Sequence, residues 1–272
     1  MGSLEGKVAF VTGAARGLGR AIAVRAAKEG CDIIALDICR PVETVDSYPG
    51  ATEDDLAETV SLVEQAGRKA FPVIADVRDL SAVEKAARDG VDSLGRLDIV
   101  VAAAAILNGA GHVWEFSQEQ WQTTLDVNLT GVWHTLKSTI PILLHQDEGG
   151  VIVVINSVCG LKGMPFLGSY NAAKHGVVGI TGTLANEVGE YGIRVNSIHP
   201  SGMDTPMGKS GAEMDLVSHN AMPLGPLYKS RLLKSALTDP EHVASLAIWL
   251  ASDDAAHMTG AHLPIDLGLL NR

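Results

Sequence analysis

The sequence predicts an α/β domain: a doubly wound, parallel, seven-stranded sheet with helices on both faces. Three observations predict it. Short apolar, β-branched runs alternate with longer helical patterns across all 272 residues, which implies right-handed βαβ units. The strand runs are continuously apolar, as strands buried on both faces are. A glycine-rich turn, Thr12-Gly13-Ala14-Ala15-Arg16-Gly17-Leu18-Gly19, joins the first strand to the first helix.

Val8–Val11 is the first apolar run, and Gly17–Lys28 follows it as a helical pattern opening on the glycine turn. Ile33–Asp37 is the second strand, apolar up to a closing aspartate. Residues 38–52 break the rhythm with a polar stretch holding two prolines and Gly50. Helix Glu53–Gln65, strand Ala70–Ile74, helix Ser81–Ser93 and strand Ile99–Ala102 restore the alternation. A long helix, Gln118–His145, leads to strand Val151–Asn156, and helix Ser169–Gly189 leads to strand Arg194–Ile198. Helix Pro240–Ala251 and a short strand at Leu263–Ile265 complete the pattern. The chain carries no repeat, low-complexity tract or linker, so residues 1–272 read as one domain.

The second interruption is the irregular connection 200–239, which contains Met203, Met207, Met214 and Met222 with several prolines. Loops of this length are commonly functional lids, and methionines suit an adaptable pocket. The same methionines would also serve to anchor the loop to the body.

The composition, 46% hydrophobic with 29 glycines, suits a buried core with many tight turns. A net charge of -11 with no basic run argues against nucleic-acid partners. Cys31, Cys39 and Cys159 form no CxxC pair, which points to a reducing compartment and to cysteines used as small buried hydrophobes. No cysteine–histidine cluster has metal-ligand spacing, so no metal is expected. The first residues lack an apolar signal segment and no apolar run is long enough to span a bilayer. The expectation is a soluble, cytoplasmic protein with no membrane partner.

Two constellations carry chemistry. Gly13, Gly17 and Gly19 lie between strand and helix, where glycines let the backbone approach a pyrophosphate and a helix N-terminus attracts it. Asp37 ends the second strand, where a carboxylate accepts hydrogen bonds from ribose hydroxyls and repels a 2′-phosphate; it favours NAD over NADP. Arg16 and Arg40 are nearby cations that argue the reverse. Asp76-Val77 stands past the third strand, either against the adenine or as a turn aspartate. The second constellation is Ser157 followed by Tyr170-Asn171-Ala172-Ala173-Lys174. Tyrosine and lysine four apart share a helix face, and an ammonium there stabilises a phenolate and lowers its pKa. Ser157 closes a strand at the carboxyl edge of the sheet, where open α/β folds bind ligands. Asn128 interrupts an otherwise apolar helix, either as a working amide or as a satisfied core one.

Through these residues the chain resembles the short-chain dehydrogenase/reductase family over essentially its whole length. The spacing Gly13-x3-Gly17-x-Gly19 is similar to that of the single-domain dehydrogenases. The resemblance implies a single-domain Rossmann fold with Tyr170 as general acid/base and Ser157 steadying the substrate oxygen. It implies that Lys174 holds the nicotinamide ribose, that Asn128 positions a water in the proton relay, and that Thr205 contacts the nicotinamide carboxamide. The implied cofactor-binding set is Gly13, Arg16, Gly17, Leu18, Gly19, Asp37, Asp76, Val77, Ala103, Tyr170, Lys174 and Thr205. The stretch after Asp37 resembles the insertion of the carveol-dehydrogenase-like branch, linked to the redox cofactor mycofactocin, where it covers an NAD that does not leave freely.

The chain departs from the family at Ala103-Ala104-Ala105, where Asn-Ala-Gly is usual. The asparagine would tie neighbouring strands and the glycine would permit close approach to the cofactor, so weaker cofactor binding or lower stability is implied. Trp114, Met164, Met203 and Met207 are the expected substrate pocket, fitting an apolar cyclic or terpenoid alcohol; His112 and Trp114 read equally as loop packing. Gly176, Gly179 and Gly182 allow close helix packing, and the resemblance implies a homotetramer; burial within the monomer is the alternative. The expected reaction is NAD-dependent interconversion of a secondary alcohol and a ketone. The alternatives are an NADPH-dependent carbonyl reductase and an NAD-binding protein with little turnover.

Overall fold

The computed structural model describes residues 2–210, 226–235 and 237–271. Met214 and Met222, and with them part of the expected lid, lie outside the described residues. Seven parallel strands form one sheet in the order β3-β2-β1-β4-β5-β6-β7. The strands are β1 (Val8–Thr12), β2 (Asp32–Asp37), β3 (Ala70–Ile74), β4 (Ile99–Ala102), β5 (Gly150–Ile155), β6 (Ile193–Pro200) and β7 (His262–Ile265). All residues of β1 and β4 are buried. The edge strand β3 carries Pro72 and leaves Ile74 54% exposed, as an edge tolerates a residue that cannot donate to a ladder.

The main helices are α1 (Gly17–Lys28), α2 (Glu53–Gln65), α3 (Leu80–Leu94), α4 (Gln118–Leu125), α5 (Gly131–Gln146), α6 (Gly168–Val188) and α7 (Pro240–Ala251). Because side chains alternate across a strand, each strand feeds two cores. Ile33, Val101 and Val153 pack with Ile22 of α1 and Val243 of α7 on one face. Ile34, Val100 and Ile152 pack with Val83 of α3, Leu136 of α5 and Val177 of α6 on the other. Each fully buried isoleucine contributes about 1.5–3 kcal/mol over leaving it exposed.

Strand order reverses between β1 and β4, and the crevice beyond their carboxyl ends is where such sheets bind ligands. The glycine turn after β1 and the stretch after β4 meet there. Residues 118–145, expected as one helix, contain a π-helical turn at Asp126–Thr130 in which the Gly131 N–H reaches the Asp126 carbonyl. Such turns frequently mark functional sites, and this one holds Asn128. Of the three glycines expected to admit a neighbouring helix, Gly176 faces Leu129 inside the monomer, whereas Gly179 and Gly182 face open space. Among the described residues no helix is long and apolar enough to cross a membrane.

Candidate active site

The turn after β1 leaves no room for side chains. Gly13 and Gly17 have φ of +68° and +56°, the left-handed region that glycine enters without strain. A Cβ on Gly13 would lie 2.9 Å from the Ala104 Cα, and one on Gly19 would lie 2.0 Å from the Gly13 carbonyl oxygen. Helices α2, α3, α4 and α7 each begin with a side-chain cap, from Thr52, Asp79, Ser117 and Asp239. Helix α1 has no such cap and no acid in its first turn. Its leading N–H groups therefore face the crevice available to an anion.

One large cavity runs along this crevice and is lined by Gly13, Arg16, Gly17, Leu18, Gly19, Asp37, Asp76, Val77, Ala103, Tyr170, Lys174 and Thr205. Those are all twelve residues expected at the cofactor. The Asp37 carboxylate accepts from Ala15 N at 2.9 Å and from Cys39 N at 3.1 Å. Both fix its orientation at the cavity wall. Asp76 is a turn aspartate that accepts from Arg78 N and pairs with Arg78 and Arg40. Burial opposes its ionisation, but the hydrogen bonds and charges of Arg78, with Arg40, outweigh it and hold the carboxyl below its ordinary range.

The polar stretch 38–52 folds over this cavity, contributing Arg40, Val42, Val45, Tyr48, Gly50 and Ala51 to its wall. Three contacts clasp it shut. The Arg16 guanidinium donates to the Pro49 and Gly50 carbonyls and lies 6.0 Å from the Tyr48 ring centre. The Tyr48 hydroxyl accepts from Leu107 N at 3.0 Å, and Asn108 Nδ2 donates to Thr44 Oγ1 at 2.7 Å. Arg16 thus spends its charge on the cover, and Arg40 spends its own on Asp76 and Glu43.

Across the crevice, Thr12 Oγ1 accepts from Ala103 N at 3.0 Å and from Ala104 N at 3.2 Å. This hydroxyl ties β1 to the stretch after β4, where the usual asparagine is missing. Ala105 is not among the residues with positive φ, so an alanine sits there without left-handed strain. Asn128 is fully buried and exchanges two 2.8 Å bonds with the main chain of Ile106. Its amide is satisfied as a brace between the π turn and this stretch. It does not line the cavities, although its neighbour Val127 does.

The β5 chain leaves the strand after Ile155, and Ser157 caps a short 3-10 turn, its Oγ accepting from Cys159 N at 3.2 Å. Tyr170 lies in the first turn of α6 and Lys174 one turn on. The Lys174 ammonium is 5.6 Å from the Tyr170 ring centre and donates to the Ile155 carbonyl at 3.1 Å. Burial, opposed by the nearby Cys159, lowers Lys174 to about 8.

A second cavity, lined by Ser157, Met164, Leu167, Tyr228 and Leu269 among others, shares Tyr170, Asn156, Met203, Thr205 and Met207 with the first. Tyr170 is therefore one of five residues on the boundary between the two spaces. Trp114 is a correction to the expected pocket. It is 76% exposed and stacks on His112 with ring centres 4.5 Å apart, so its ring is held by a loop neighbour outside both cavities. Tyr228 donates its hydroxyl to the Pro165 carbonyl and walls the second cavity with Leu269. Neither residue carries a signal in the sequence, because both reach the site through the folding of distant segments. Among the described residues no group of three or more histidine, cysteine or acidic side chains is arranged to hold a metal.

A family model described as enoyl-(acyl carrier protein) reductase matches residues 13–270. An uncharacterized NAD-dependent oxidoreductase of Mycobacterium tuberculosis is 47% identical over 269 residues, 99% of this chain and 98% of that protein. The (-)-trans-carveol dehydrogenase of Rhodococcus erythropolis is 40% identical, over 98% of this chain and 99% of that one. The crystal structure of a carveol dehydrogenase from Mycobacterium avium in complex with NAD superposes with a TM-score of 0.95 at 41% identity, covering 100% of both chains.

Proposed function

The chain belongs to the short-chain dehydrogenase/reductase family, and from that membership we propose that it is an NAD-dependent dehydrogenase of cyclic, terpenoid-like secondary alcohols. The observation that carries the reading is Tyr170, with Lys174 behind it, at the boundary between the cavity beside the glycine turn and an apolar one. The residues present fit the cofactor. Gly13 and Gly19 keep a cradle clear that a Cβ would fill. The α1 N-terminus faces the pyrophosphate, Asp37 takes the adenosine ribose, and the two arginines that would favour a 2′-phosphate are occupied elsewhere.

When bound, NAD supplies the hydride acceptor. Ser157 holds the alcohol oxygen, and the Tyr170 phenolate takes the hydroxyl proton. The hydrogen on carbon then departs with its electron pair as the carbonyl bond forms, so proton and hydride leave by separate routes. Lys174 stabilises the phenolate by charge and orients the nicotinamide ribose. Asn128 supports the relay indirectly, by fixing the π turn against Ile106. Met164, Met203 and Met207 give the apolar cavity adaptable walls, which suits a ring substrate such as (-)-trans-carveol.

The test is turnover with a panel of cyclic secondary alcohols including (-)-trans-carveol. NAD should support it, NADP should be at least about tenfold poorer, and Asp37→Ala should narrow that gap because the 2′-phosphate is no longer repelled. Better turnover with NADP than NAD overturns the reading of Asp37. Metal chelation should leave the rate unchanged. Because three contacts hold the 38–52 stretch over the cavity, mass spectrometry of the denatured purified protein should reveal retained NAD.

We also propose a homotetramer paired through α5 and α6. The exposed Trp133 and Leu144 of α5 and the open Gly179 and Gly182 of α6 support it. Light scattering should return four chain masses, and a monomer mass excludes it.

A further inference from the structure

We propose that His199 is a positioning residue for Ser157, held in one tautomer by Ser197 and His262; this rests on the reading of Ser157 as the group that holds the substrate oxygen. His199 lies on β6, beside β5, and is fully buried. Its Nδ1 lies 2.8 Å from the Ser157 carbonyl oxygen and its Nε2 lies 2.8 Å from Ser197 Oγ. Ser197 Oγ in turn lies 2.7 Å from His262 Nδ1. The two imidazoles meet edge to face, with centres 5.6 Å apart.

The chemistry of the ends fixes every proton in this chain. A carbonyl oxygen only accepts, so His199 Nδ1 carries the hydrogen. Burial above all, with His262 and Lys174 adding to it against the Ser157 bond, lowers His199 to about 4, so the ring is neutral near pH 7 and Nε2 is an acceptor. Ser197 therefore donates its hydroxyl to Nε2, and its oxygen receives the His262 Nδ1–H. One arrangement satisfies all four groups.

The consequence falls on Ser157. Its carbonyl receives both the His199 Nδ1–H and the Gly160 N–H at 2.9 Å, while Asn156 N is bound to the Ile198 carbonyl at 2.8 Å. Its hydroxyl oxygen receives Cys159 N, which leaves the hydroxyl proton to be given to a substrate oxygen. The peptide after Ser157 has left the strand, so the sheet ladder does not hold it. His199 supplies the missing cross-strand bond, as an ordered outer support does for a reacting group. Ser197 and His199 can do this together because residues two apart on a strand share a face, and Ser197 is in register with His262.

The experiment compares His199→Asn, His199→Gln and His199→Leu with wild type and Ser157→Ala. The asparagine amide keeps a donor where Nδ1 stood, the glutamine amide reaches toward Ser197 instead, and leucine keeps neither. The readout is the single-turnover reduction of bound NAD, using the cyclic alcohol of the panel above that wild type oxidises fastest. His199→Gln and His199→Leu should slow it by about 10- to 100-fold, as misplacement of a reacting group does, with NAD affinity and the alcohol KM held. His199→Asn should recover most of the rate. A His199→Leu rate within about twofold of wild type, or equal losses in the Asn and Gln variants, overturns the proposal. If Ser157→Ala keeps the wild-type rate, the reading of Ser157 fails instead. Should the variants not fold, 15N spectroscopy of histidine in the unaltered enzyme decides: a proton on Nδ1 and a bare Nε2 are expected, and any other state overturns it.

Discussion

Tyr170→Phe should slow alcohol oxidation by at least about 10²–10⁴-fold, the contribution of a positioned general acid or base, while NAD stays bound. Phenylalanine keeps the ring, which packs in one cluster with Met164, Leu167 and Met207, and removes only the oxygen that takes the proton. The cradle at Gly13, Gly17 and Gly19 and the carboxylate of Asp37 do not touch that oxygen, so cofactor content should be unchanged. The loss should appear in kcat and in the single-turnover rate together, because the group acts in the transition state. Equal rates for wild type and Tyr170→Phe overturn the mechanism. Loss of NAD from the variant would mean that the hydroxyl, and not only the ring, holds the cofactor.

The parts of this site that were legible from the sequence are those where a local constraint selects a residue type. Gly13 and Gly17 announce themselves because their backbone has positive φ, and Gly13 and Gly19 because a side chain there would collide. Tyr170 and Lys174 announce themselves because one helical turn separates them. Strands β1, β2, β4 and β5 are legible because burial on both faces demands unbroken apolar runs. What escaped depends on contacts between distant segments. The π turn at Asn128 is one extra residue of helical register, and nothing in Asp126-Val127-Asn128-Leu129-Thr130 distinguishes it from ordinary helix. Tyr48 meets Leu107 and Arg16 only after the 38–52 stretch has folded back. The bond from His199 to Ser157 crosses 42 positions and the one from Ser197 to His262 crosses 65. Trp114 misled because an aromatic residue in a loop has the same composition whether it walls a pocket or stacks on its neighbour.

Local contacts hold the Ala103–Ala105 stretch in place. Thr12 ties β1 to it through its hydroxyl, and Gly13, having no side chain, lets the Ala104 Cα lie 2.9 Å from the position a Cβ would take. The 38–52 stretch then adds holding contacts from the opposite side, through Leu107 and Asn108. Tyr48 packs in the same cluster as Leu107, Val158 and Tyr170, so the 38–52 stretch and the second cavity share a wall.

Lys174→Met should cost about 10²-fold or more in rate, the effect of losing one preorganised charge from a buried site, and yet leave the protein no less stable at pH 7. The two outcomes have one cause. Among the described residues no carboxylate pairs with the buried ammonium, and burial lowers its pKa from 10.5 to about 8. Below pH 8 the lysine is protonated in folded and unfolded chains alike, and the folded state bears the full desolvation cost. Between pH 8 and 10.5 the unfolded chain binds the proton more tightly, so wild-type stability gains with rising pH from this group. Above 10.5 both forms are neutral and the cost is gone. The displacement from 10.5 to about 8 corresponds to about 3 kcal/mol at neutral pH. Methionine of similar length removes that cost but leaves the Ile155 carbonyl without its donor, a loss of about 1–3 kcal/mol. The balance at pH 7 is therefore near zero or in favour of the variant, and it should move toward wild type as pH rises from 8 to 10. Thermal unfolding at fixed cofactor content, read across that range, checks the sign; a variant far less stable at pH 7, or a pH dependence in the other direction, sinks the argument. In the double variant with Tyr170→Phe the two losses should be far less than multiplicative, because an ammonium has no phenolate to stabilise once the phenol is gone and only its hold on the nicotinamide ribose remains to be lost.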